Sequence, residues 1–593
     1  MQIRNSCRKV TQYVYLPFIL IIMVIFVFSR AAFLDIDVPY RILHSYAVFD
    51  ECYYTIPAFN LFHYGVNLSP LSNITQETSS PTNISQNLTT YLTLQLFGNN
   101  FYGLRMGSVL CACLIFLFFY LLLKRILILN NFEINYTFKT KLMLIFPLVY
   151  LLIDFSFLIA GRIAEPTIYR MLNLVLMLYI GSFINFKSIK PWHSLLLGFL
   201  AFASLSFVYI YNTFIYAAFG TALFLGTLKN GMRNAFKHVF SLILGTVLCI
   251  LLYQLYSQTA YNCSLIELYK ILLPFQYRIG GQAGTGIDSY LINITFMLIT
   301  NIFRFNLILL FIFLTAIPIF IDKLKHEKSD FDIILISLIG FLILQSIIIN
   351  DYALRKLLIL LPLVIIISLQ GFIYAPHYFS NLTTEKMRLI KIYWSIIWVI
   401  NIMLFFFYMN SELTDWKLRS DHFLILNLFV FLIGAAILSL HYLYKANINK
   451  AVATALLITI LLPNAFLDFR YVFLDRTTIY RDAMISMGSK INGKVVVGGF
   501  AYAFRMYNTS IPVLNFYMTR YSPDVEAADK YHQYFDQLFA DGIGSYSIGV
   551  AQDTTEEDVA YMNYMEKHGL QLEDEYQFKD LIDENIGLFA PRP

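Results

Sequence analysis

Apolar residues occur along the chain in runs of about 20, and short polar clusters separate the runs. A helix rises about 1.5 Å per residue, so each run is long enough to cross roughly 30 Å of hydrocarbon. The first run lacks a small-residue cleavage site, which favours an uncleaved span. We predict about thirteen membrane-spanning helices, at 14–34, 105–129, 141–160, 167–186, 193–208, 209–228, 236–257, 302–322, 331–350, 355–374, 390–409, 422–444 and 450–468.

Three segments do not follow this pattern, namely 35–101, 256–301 and 469–593. The last of them contains a strand-like run from Val495 to Gly499, followed by mixed polar stretches. Alternation and β-branched residues of this kind are typical of a short strand. The sequence therefore predicts an all-α polytopic membrane module over 1–468 and a small C-terminal α/β domain over 469–593.

Lysine and arginine cluster on alternate connections between the predicted spans, which indicates that those connections face the cytoplasm. An odd number of spans then places 35–101, 256–301 and the tail on the other side. We expect a bacterial inner membrane or an equivalent one, with the C-terminal domain extracytoplasmic. The cationic connections contain Lys124, Arg125, Lys139, Lys141, Lys187, Lys190, Lys229, Arg233, Lys237, Lys323, Lys325, Lys328, Lys386, Arg388, Lys391, Lys445 and Lys450.

The composition agrees with a membrane protein, since 58% of the residues are hydrophobic and 14% are charged. Soluble domains have roughly 45–50% apolar and about 25% charged residues. The net charge of +5 is spread over many short clusters instead of one stripe, which argues against nucleic acid as a partner. Histidine and cysteine show no zinc-type spacing.

A pair of carboxylates, Asp50 and Glu51, comes shortly after the first predicted span and is followed by Tyr53 and Tyr54. One positioned carboxylate at a membrane surface can remove the proton of an attacking hydroxyl or amine. The alternative is a solvated acidic pair at a helix start, where negative charge suits the helix dipole. The pair alone leaves both interpretations open.

Four separate segments together resemble the GT-C glycosyltransferases, specifically the protein-mannosyltransferase-like group that includes the bacterial lipid A aminoarabinose transferases. They match, in order, its Asp-Glu-x-x-Tyr loop, its Ala-Arg-Leu-Pro entry to the second span, its Arg-x-x-x-Pro-acidic turn and its Arg-Tyr-Leu-Leu-Pro-Leu-Leu-Pro segment. Here they are Asp50 to Ala58, Phe101 to Met106, Gly161 to Pro166 and Arg355 to Pro362.

The match has departures. Glu165 precedes Pro166 instead of following it, and Lys356 and Ile359 stand where the group has Tyr and its first Pro. These differences affect the register of the motifs and not the class they indicate.

The resemblance implies an inverting transferase that moves a sugar from a polyprenyl-phosphate donor to a lipid, glycan or protein acceptor at the extracytoplasmic face. Asp50 would be the catalytic base, Glu51 would orient the acceptor or an ion, and Glu165 would be a second acidic group of the same pocket. Membrane lipid is a further expected partner, because the donor's tail would lie between spans.

The same resemblance implies that Arg355, with Lys356, holds the donor phosphate, since an arginine fork matches phosphate geometry. Arg105 and Arg162 are further candidates, as is Arg278 in the glycine-rich segment 275–286. The alternatives are interfacial cations that extend to lipid headgroups for the first two, and a plain flexible loop for the third.

No cofactor or metal ligand is assigned from the sequence. A divalent cation, Mg²⁺ or Mn²⁺, at Asp50, Glu51 and Glu165 stays open, because hard carboxylate oxygens suit such ions. Two charges lie deeper in the predicted spans, Asp154 and Arg170. Charge in hydrocarbon is costly, so we expect both to face the bundle and to pair with one another, with a structural or a catalytic role.

Two other functions compete with the enzyme. A transporter or flippase of lipid-linked sugars would also be polytopic, but many transporters contain related halves around a midplane site. No internal repeat is evident here, and the charged candidates gather near one predicted face. A membrane scaffold whose tail recruits a partner is the third interpretation, and it predicts that Asp50 is dispensable.

Overall fold

The structure is a computed structural model. It describes residues 20–35, 51–52, 55–66, 83–130, 138–203, 212–261, 307–349, 358–410, 421–443, 461–474, 478–498, 501–513, 538–540, 546–550, 556–577 and 585–592.

The part of the chain before the tail is helical throughout these ranges. Its helices are α1 (Leu20–Ala31), α2 (Ile56–Tyr64), α3 (Ile84–Phe97), α4 (Phe101–Leu129), α5 (Phe138–Ile153), α6 (Phe155–Ala160), α7 (Pro166–Gly181), α8 (Pro191–Ala203), α9 (Thr213–Leu228), α10 (Met232–Tyr261), α11 (Leu307–His326), α12 (Asp330–Ile349), α13 (Leu361–Ser380), α14 (Thr384–Asn410), α15 (Asp421–Leu443) and α16 (461–469).

Among the described residues, five helices are long and apolar enough to cross a bilayer, namely α4, α10, α11, α13 with the turn before it, and α14. Five shorter apolar helices accompany them. The protein is thus a multi-pass membrane protein, as predicted. The predicted number of thirteen spans stays a prediction, because parts of several spans lie outside the described residues.

The predicted span 141–160 differs from expectation, because it is two helices, α5 and α6, that break at Asp154. The Asp154 carboxylate accepts a hydrogen bond of 2.8 Å from the backbone N–H of Phe157. An aspartate in this N-cap position starts a new helix by satisfying an amide that the helix itself leaves without a partner. A single polar residue thus divides an apolar run that periodicity reads as continuous.

Two helices of the bundle, α8 and α10, approach closely at a pair of glycines. A Cβ atom built on Gly198 would lie 2.0 Å from the Leu242 carbonyl oxygen, and one on Gly245 would lie 1.9 Å from the Leu195 carbonyl oxygen. Small residues let helix backbones pack together where hydrocarbon gives no hydrophobic driving force. These glycines explain why this apolar helix pair has a defined contact.

A buried ion pair joins α11 to α12 near the connection between them. The Lys323 ammonium lies 2.9 and 2.8 Å from the two carboxylate oxygens of Asp332 and 2.6 Å from Oε1 of Gln370 in α13. Both charged side chains are buried. The pair fixes three helices at one end of the bundle.

The tail contains α17 (Ile479–Ile491), α18 (Glu556–Lys567) and five strands, β1 (Val495–Val497), β2 (Ile511–Val513), β3 (Tyr546–Val550), β4 (Leu570–Gln577) and β5 (Asn585–Pro591). The strand order is β2-β1-β3-β5-β4, with β1 parallel to both of its neighbours and β5 antiparallel to β3 and β4. This mixed sheet with helices confirms the predicted small α/β tail.

Part of the tail packs into the same core as the membrane helices, and a smaller cluster around Met565 lies within the tail itself. Tyr480, Met484 and Ile548 are buried in the same apolar cluster as Leu104 of α4 and Ile163 of the turn before α7. Packing therefore continues between the membrane helices and the tail, and the boundary at residue 469 stays a prediction.

Candidate active site

The centre of the candidate site is a buried ion pair between Glu51 and Arg105, which lies in the second turn of α4. Arg105 Nε lies 2.9 Å from Oε1 of Glu51, and Nη2 lies 2.8 Å from Oε2. The third nitrogen, Nη1, donates to the Leu34 carbonyl at 2.6 Å. Glu51 is 0% exposed and Arg105 is 2% exposed. The fork geometry fixes the Glu51 carboxylate in plane and in position.

The same carboxylate reaches a second loop, the turn between α6 and α7. Oε1 of Glu51 accepts a hydrogen bond of 2.8 Å from the backbone N–H of Ala164. The Ala164 carbonyl in turn accepts a 2.6 Å hydrogen bond from Nε2 of Gln86 in α3. Segments that are distant in sequence are thereby joined at one residue, Ala164, next to Glu165.

The turn is also held to the end of α1 by Arg162. Its guanidinium donates to the Ser29 carbonyl at 2.9 Å and to the Phe33 carbonyl at 2.7 Å. The last carbonyls of a helix have no partner within the helix, so a cation here satisfies them and suits the dipole. Arg162 is buried, so its guanidinium binds these main-chain carbonyls and does not extend to lipid headgroups.

Glu165 is buried and forms the N-cap of α7, but its side chain makes no capping bond. Pro166 follows it at the first helical position, where a missing N–H costs nothing. The 3₁₀ turn Leu358–Leu360 packs against α7. That turn comes directly after the predicted phosphate-binding pair.

Four of the eight predicted site residues are described, and the structure places all four around the Glu51–Arg105 pair and the turn that contains Ala164. Glu51 contacts Arg105 and the residue before Glu165, while Arg162 lies in the same turn as Glu165. The other four, Asp50, Arg278, Arg355 and Lys356, lie outside the described residues.

Electrostatics at the pair are dominated by burial. Burial raises the pKa of the Glu51 carboxyl, whereas the charge and hydrogen bonds of Arg105 and the Ala164 amide lower it. Both oxygens accept from a cation, so the arginine occupies the place that a metal ion would need beside this carboxylate. Among the described residues, no three histidine, cysteine or acidic side chains are grouped so as to hold a metal.

The tail contacts the loop that carries Glu51, and the sequence does not predict this contact. Nη2 of Arg505 donates to the Cys52 carbonyl at 2.7 Å, and its guanidinium lies 3.7 Å from the centre of the Phe59 ring. Asn99 donates to the Asn508 carbonyl at 2.8 Å. An ion pair between Arg481 and Asp35 adds a further link.

Two residues of this framework were missed for different reasons. Gln86 belongs to a polar row with Thr90 and Thr93 on one side of α3, all three buried, and a spacing of four and three residues is a detectable helical signal. Arg505 has no such signal, because it is one cation in a mixed polar stretch. Its role depends on how the tail folds back onto the loop.

The predicted pairing of the two deep charges is not what the structure shows. Asp154 caps α6, and Arg170 in α7 donates through Nη2 to Oε1 of Gln345 in α12. Each charge thus has a different partner within the bundle. An ionisable group buried in hydrocarbon needs a polar partner, which for Arg170 is the amide oxygen of Gln345.

No family model matches the chain, and no curated protein matches it. Solved structures do. The crystal structure of ArnT from Cupriavidus metallidurans bound to undecaprenyl phosphate has a TM-score of 0.53 at 12% identity, covering 98% of this chain and 99% of that chain. The same protein in the apo state gives 0.51 at 11% identity, covering 99% and 100%. The chain therefore has an ArnT-like fold over almost its whole length, as the resemblance predicted.

Proposed function

We propose that this protein is an integral membrane glycosyltransferase that transfers a sugar from a polyprenyl-phosphate donor to a lipid, glycan or protein acceptor. The reaction takes place at the extracytoplasmic face, with inversion at the anomeric carbon and Asp50 as the base. The module over 1–468 holds the site, and the tail over 469–593 borders it on the same face.

The observation that carries the proposal is the hydrogen bond between the Glu51 carboxylate and the Ala164 amide. Asp50 is adjacent to the first of these residues, and Glu165 is adjacent to the second. A bond between their neighbours limits how far apart the two acidic residues can lie. Such preorganisation is what a catalytic pair requires, since misplacement by about 1 Å can cost a hundredfold in rate.

In the proposed step, an oxygen or nitrogen of the acceptor attacks the anomeric carbon of the donor sugar. The bond from that carbon to the phosphate oxygen breaks, and the polyprenyl phosphate leaves with the electron pair. The acceptor proton passes to the Asp50 carboxylate. A single displacement of this kind inverts the configuration and needs one base.

Arg355 and Lys356 are assigned to the donor phosphate, with Arg278 as a further cation from the second outside segment. A guanidinium fork neutralises the charge that grows on the leaving phosphate. Two findings support this assignment. The chain three residues after Arg355 packs against the helix that Glu165 opens, and one of the similar ArnT structures holds undecaprenyl phosphate.

Glu51, Arg105 and Arg162 act as positioning residues in this proposal. Glu51 and Arg105 bind each other, and Arg162 binds the end of α1. Arg105 and Arg162 then serve the donor indirectly, because they hold the loop of Asp50 and the turn of Glu165 in register. A divalent cation is not needed for any of these contacts.

The test compares wild type with Asp50→Asn in detergent, using a radiolabelled polyprenyl-phosphate sugar and following its consumption. A general base contributes about 10²–10⁴-fold, so we expect a loss of that order without a change in thermal midpoint. Glu327→Gln is the matched control, since Glu327 is an exposed acidic residue at the connection after α11. Equal consumption by Asp50→Asn and wild type would refute the assignment.

The same assay separates the enzyme from a transporter. In sealed proteoliposomes, a flippase would move the labelled donor between leaflets without cleaving it. Movement of intact donor together with no sugar release would replace the transferase with the transporter.

A further inference from the structure

A cavity of about 600 Å³ opens between α11, α13 and α14, outside the candidate active site. Its polar lining comes from three helices, with Asp322 and Lys325 on α11, Tyr374 and His377 on α13, and Lys386 on α14. Two lysines against one carboxylate make it net cationic before any histidine is counted. The proposed reaction uses none of these residues.

The cavity lies at the other end of the bundle from Glu51. The turn at the start of α13 packs against α7, the helix that begins beside Glu165. His377 is in the last turn of α13, roughly 24 Å further along its axis at a helical rise of about 1.5 Å. That distance is most of a bilayer, so the cavity is at the opposite membrane face.

Pro318 lines the cavity, and Pro376 lies between the lining residues Tyr374 and His377 in the sequence of α13. Pro318 in α11 and Pro376 in α13 both lie inside their helices, where each removes a backbone N–H. The carbonyl that Pro318 leaves without its helical partner, that of Leu314, accepts a 2.8 Å hydrogen bond from the Tyr393 hydroxyl of α14. This bond links α14 to α11 about one helical turn from the residues that line the cavity, so it fixes the relative position of the two helices there.

One lining side chain is a buried tyrosine. Tyr374 is 5% exposed, and no described atom meets both the distance and the angle of a hydrogen bond to its hydroxyl, although the Asp322 carboxylate is near. Buried hydroxyls in proteins are hydrogen-bonded in the large majority of cases. The Asp322 carboxylate is the neighbour of this hydroxyl, and Lys325 and Lys386 make the cavity suited to an oxyanion.

The apolar rim indicates where that oxyanion comes from. Ile321 is 47% exposed and Leu389 is 65% exposed, and both border the cavity. On a helix bundle in a membrane, such side chains contact acyl chains, while lysines at helix ends extend to headgroups. A soluble anion would use the lysines and gain nothing from the rim.

We propose that this cavity binds the phosphate headgroup of an anionic phospholipid in the leaflet opposite to the active site. Lys325 and Lys386 contact the phosphate, the Tyr374 hydroxyl donates to it, and the acyl chains lie along Ile321 and Leu389. Basic pockets between membrane helices are well suited to anionic headgroups, which are enriched in the cytoplasmic leaflet.

The test is native mass spectrometry of the full chain in detergent, titrated with dioleoyl phosphatidylglycerol or dioleoyl phosphatidylcholine. Wild type should retain phosphatidylglycerol in preference, and Lys325→Gln with Lys386→Gln should weaken that retention roughly tenfold or more. The control is Lys229→Gln with Lys237→Gln, two exposed lysines at the connection between α9 and α10. Equal retention by both double variants would overturn the proposal.

Two further arms keep the test decisive. Wild type bearing photoreactive phosphatidylglycerol should cross-link to peptides of α11 and α14 that line the cavity, which needs no variant to fold, and cross-links confined to other helices would overturn the site. Glycerol phosphate should not displace the lipid at equal concentration. If it does, acyl chains are dispensable and the lipid assignment is wrong.

Discussion

Two buried ion pairs stand at opposite ends of this molecule, and their local geometry is alike. Glu51 with Arg105 and Asp332 with Lys323 both have cation–carboxylate distances of 2.8 Å and side chains that are almost fully buried. They differ in what they join. Asp332 and Lys323 are nine residues apart on consecutive helices, whereas Glu51 and Arg105 are 54 residues apart.

The contrast shows that burial and short distances do not identify a functional pair. The Lys323 pair adds Gln370 and stabilises three neighbouring helices. The Glu51 pair adds a backbone amide of a turn that carries another acidic residue, so it sets the relative position of two loops. We therefore expect the pair that joins two loops to affect the chemistry, and the pair that joins helices to affect mainly the stability.

The sharpest test of this comparison removes one charge from each pair with an isosteric change, Glu51→Gln and Asp332→Asn. Each leaves a buried cation without its counter-charge, so each should lower the free energy of unfolding by about 3–5 kcal/mol. Among molecules that remain folded, only Glu51→Gln should reduce sugar transfer, by about tenfold or more.

Thermal midpoints in detergent measure the first effect, and transfer per folded molecule, quantified after size exclusion, measures the second. A normal transfer rate in Glu51→Gln would show that the loop geometry does not depend on this carboxylate. A comparable loss in Asp332→Asn would remove the distinction between the two pairs.

The fold could be predicted largely from sequence, because crossing a bilayer imposes a long apolar run that needs no tertiary information. The break at Asp154 could not, since a cap is a local choice that periodicity does not register. For the candidate site, the motif resemblance selects Glu51, Arg105 and Glu165, whose roles stay predictions, whereas the ion pair between Glu51 and Arg105 is seen only in the structure. The resemblance assigns Glu51 to the acceptor or an ion and Arg105 to the donor phosphate, because a sequence does not reveal which opposite charges contact each other.

The contact between Arg505 of the tail and the loop that carries Glu51 provides a second test of the comparison between the two ion pairs. Arg505→Ala removes a 2.7 Å hydrogen bond to the Cys52 carbonyl and the stacking on Phe59. Hydrogen bonds to charged groups contribute about 1.5–3 kcal/mol, so the midpoint should fall moderately. Because Cys52 follows Glu51, transfer should fall as well, with the acceptor KM rising more than kcat falls.

Arg592→Ala is the control for this experiment, since Arg592 is an exposed tail arginine paired with Glu566. It should change neither quantity measurably, in line with the small contribution of exposed ion pairs. A loss of transfer in Arg592→Ala equal to that in Arg505→Ala would assign the effect to the tail as a whole. An unchanged acceptor KM in Arg505→Ala would separate the tail from the site.

The smallest expected effect is a pH dependence that arises next to this contact. Burial, together with the positive charge of Arg505, lowers the pKa of His63 to about 4, and its ring stacks on Phe59. The unfolded chain takes up this proton near pH 6.5, and the folded chain does so only near pH 4. The contribution of the neutral His63 ring to the free energy of unfolding is therefore fully present above pH 6.5, and it is lost as the pH falls toward 4.

His63→Phe keeps a ring beside Phe59 but cannot titrate, so its thermal midpoint should fall less than that of wild type between pH 6.5 and 4.5. Carboxylates titrate equally in both proteins, and the difference between them isolates the histidine. Solvent reaches part of the ring, so the linked uptake should stay below one proton. Parallel midpoint curves would show that folding does not lower the pKa of His63, which would mean that its ring is less buried than the structure has it.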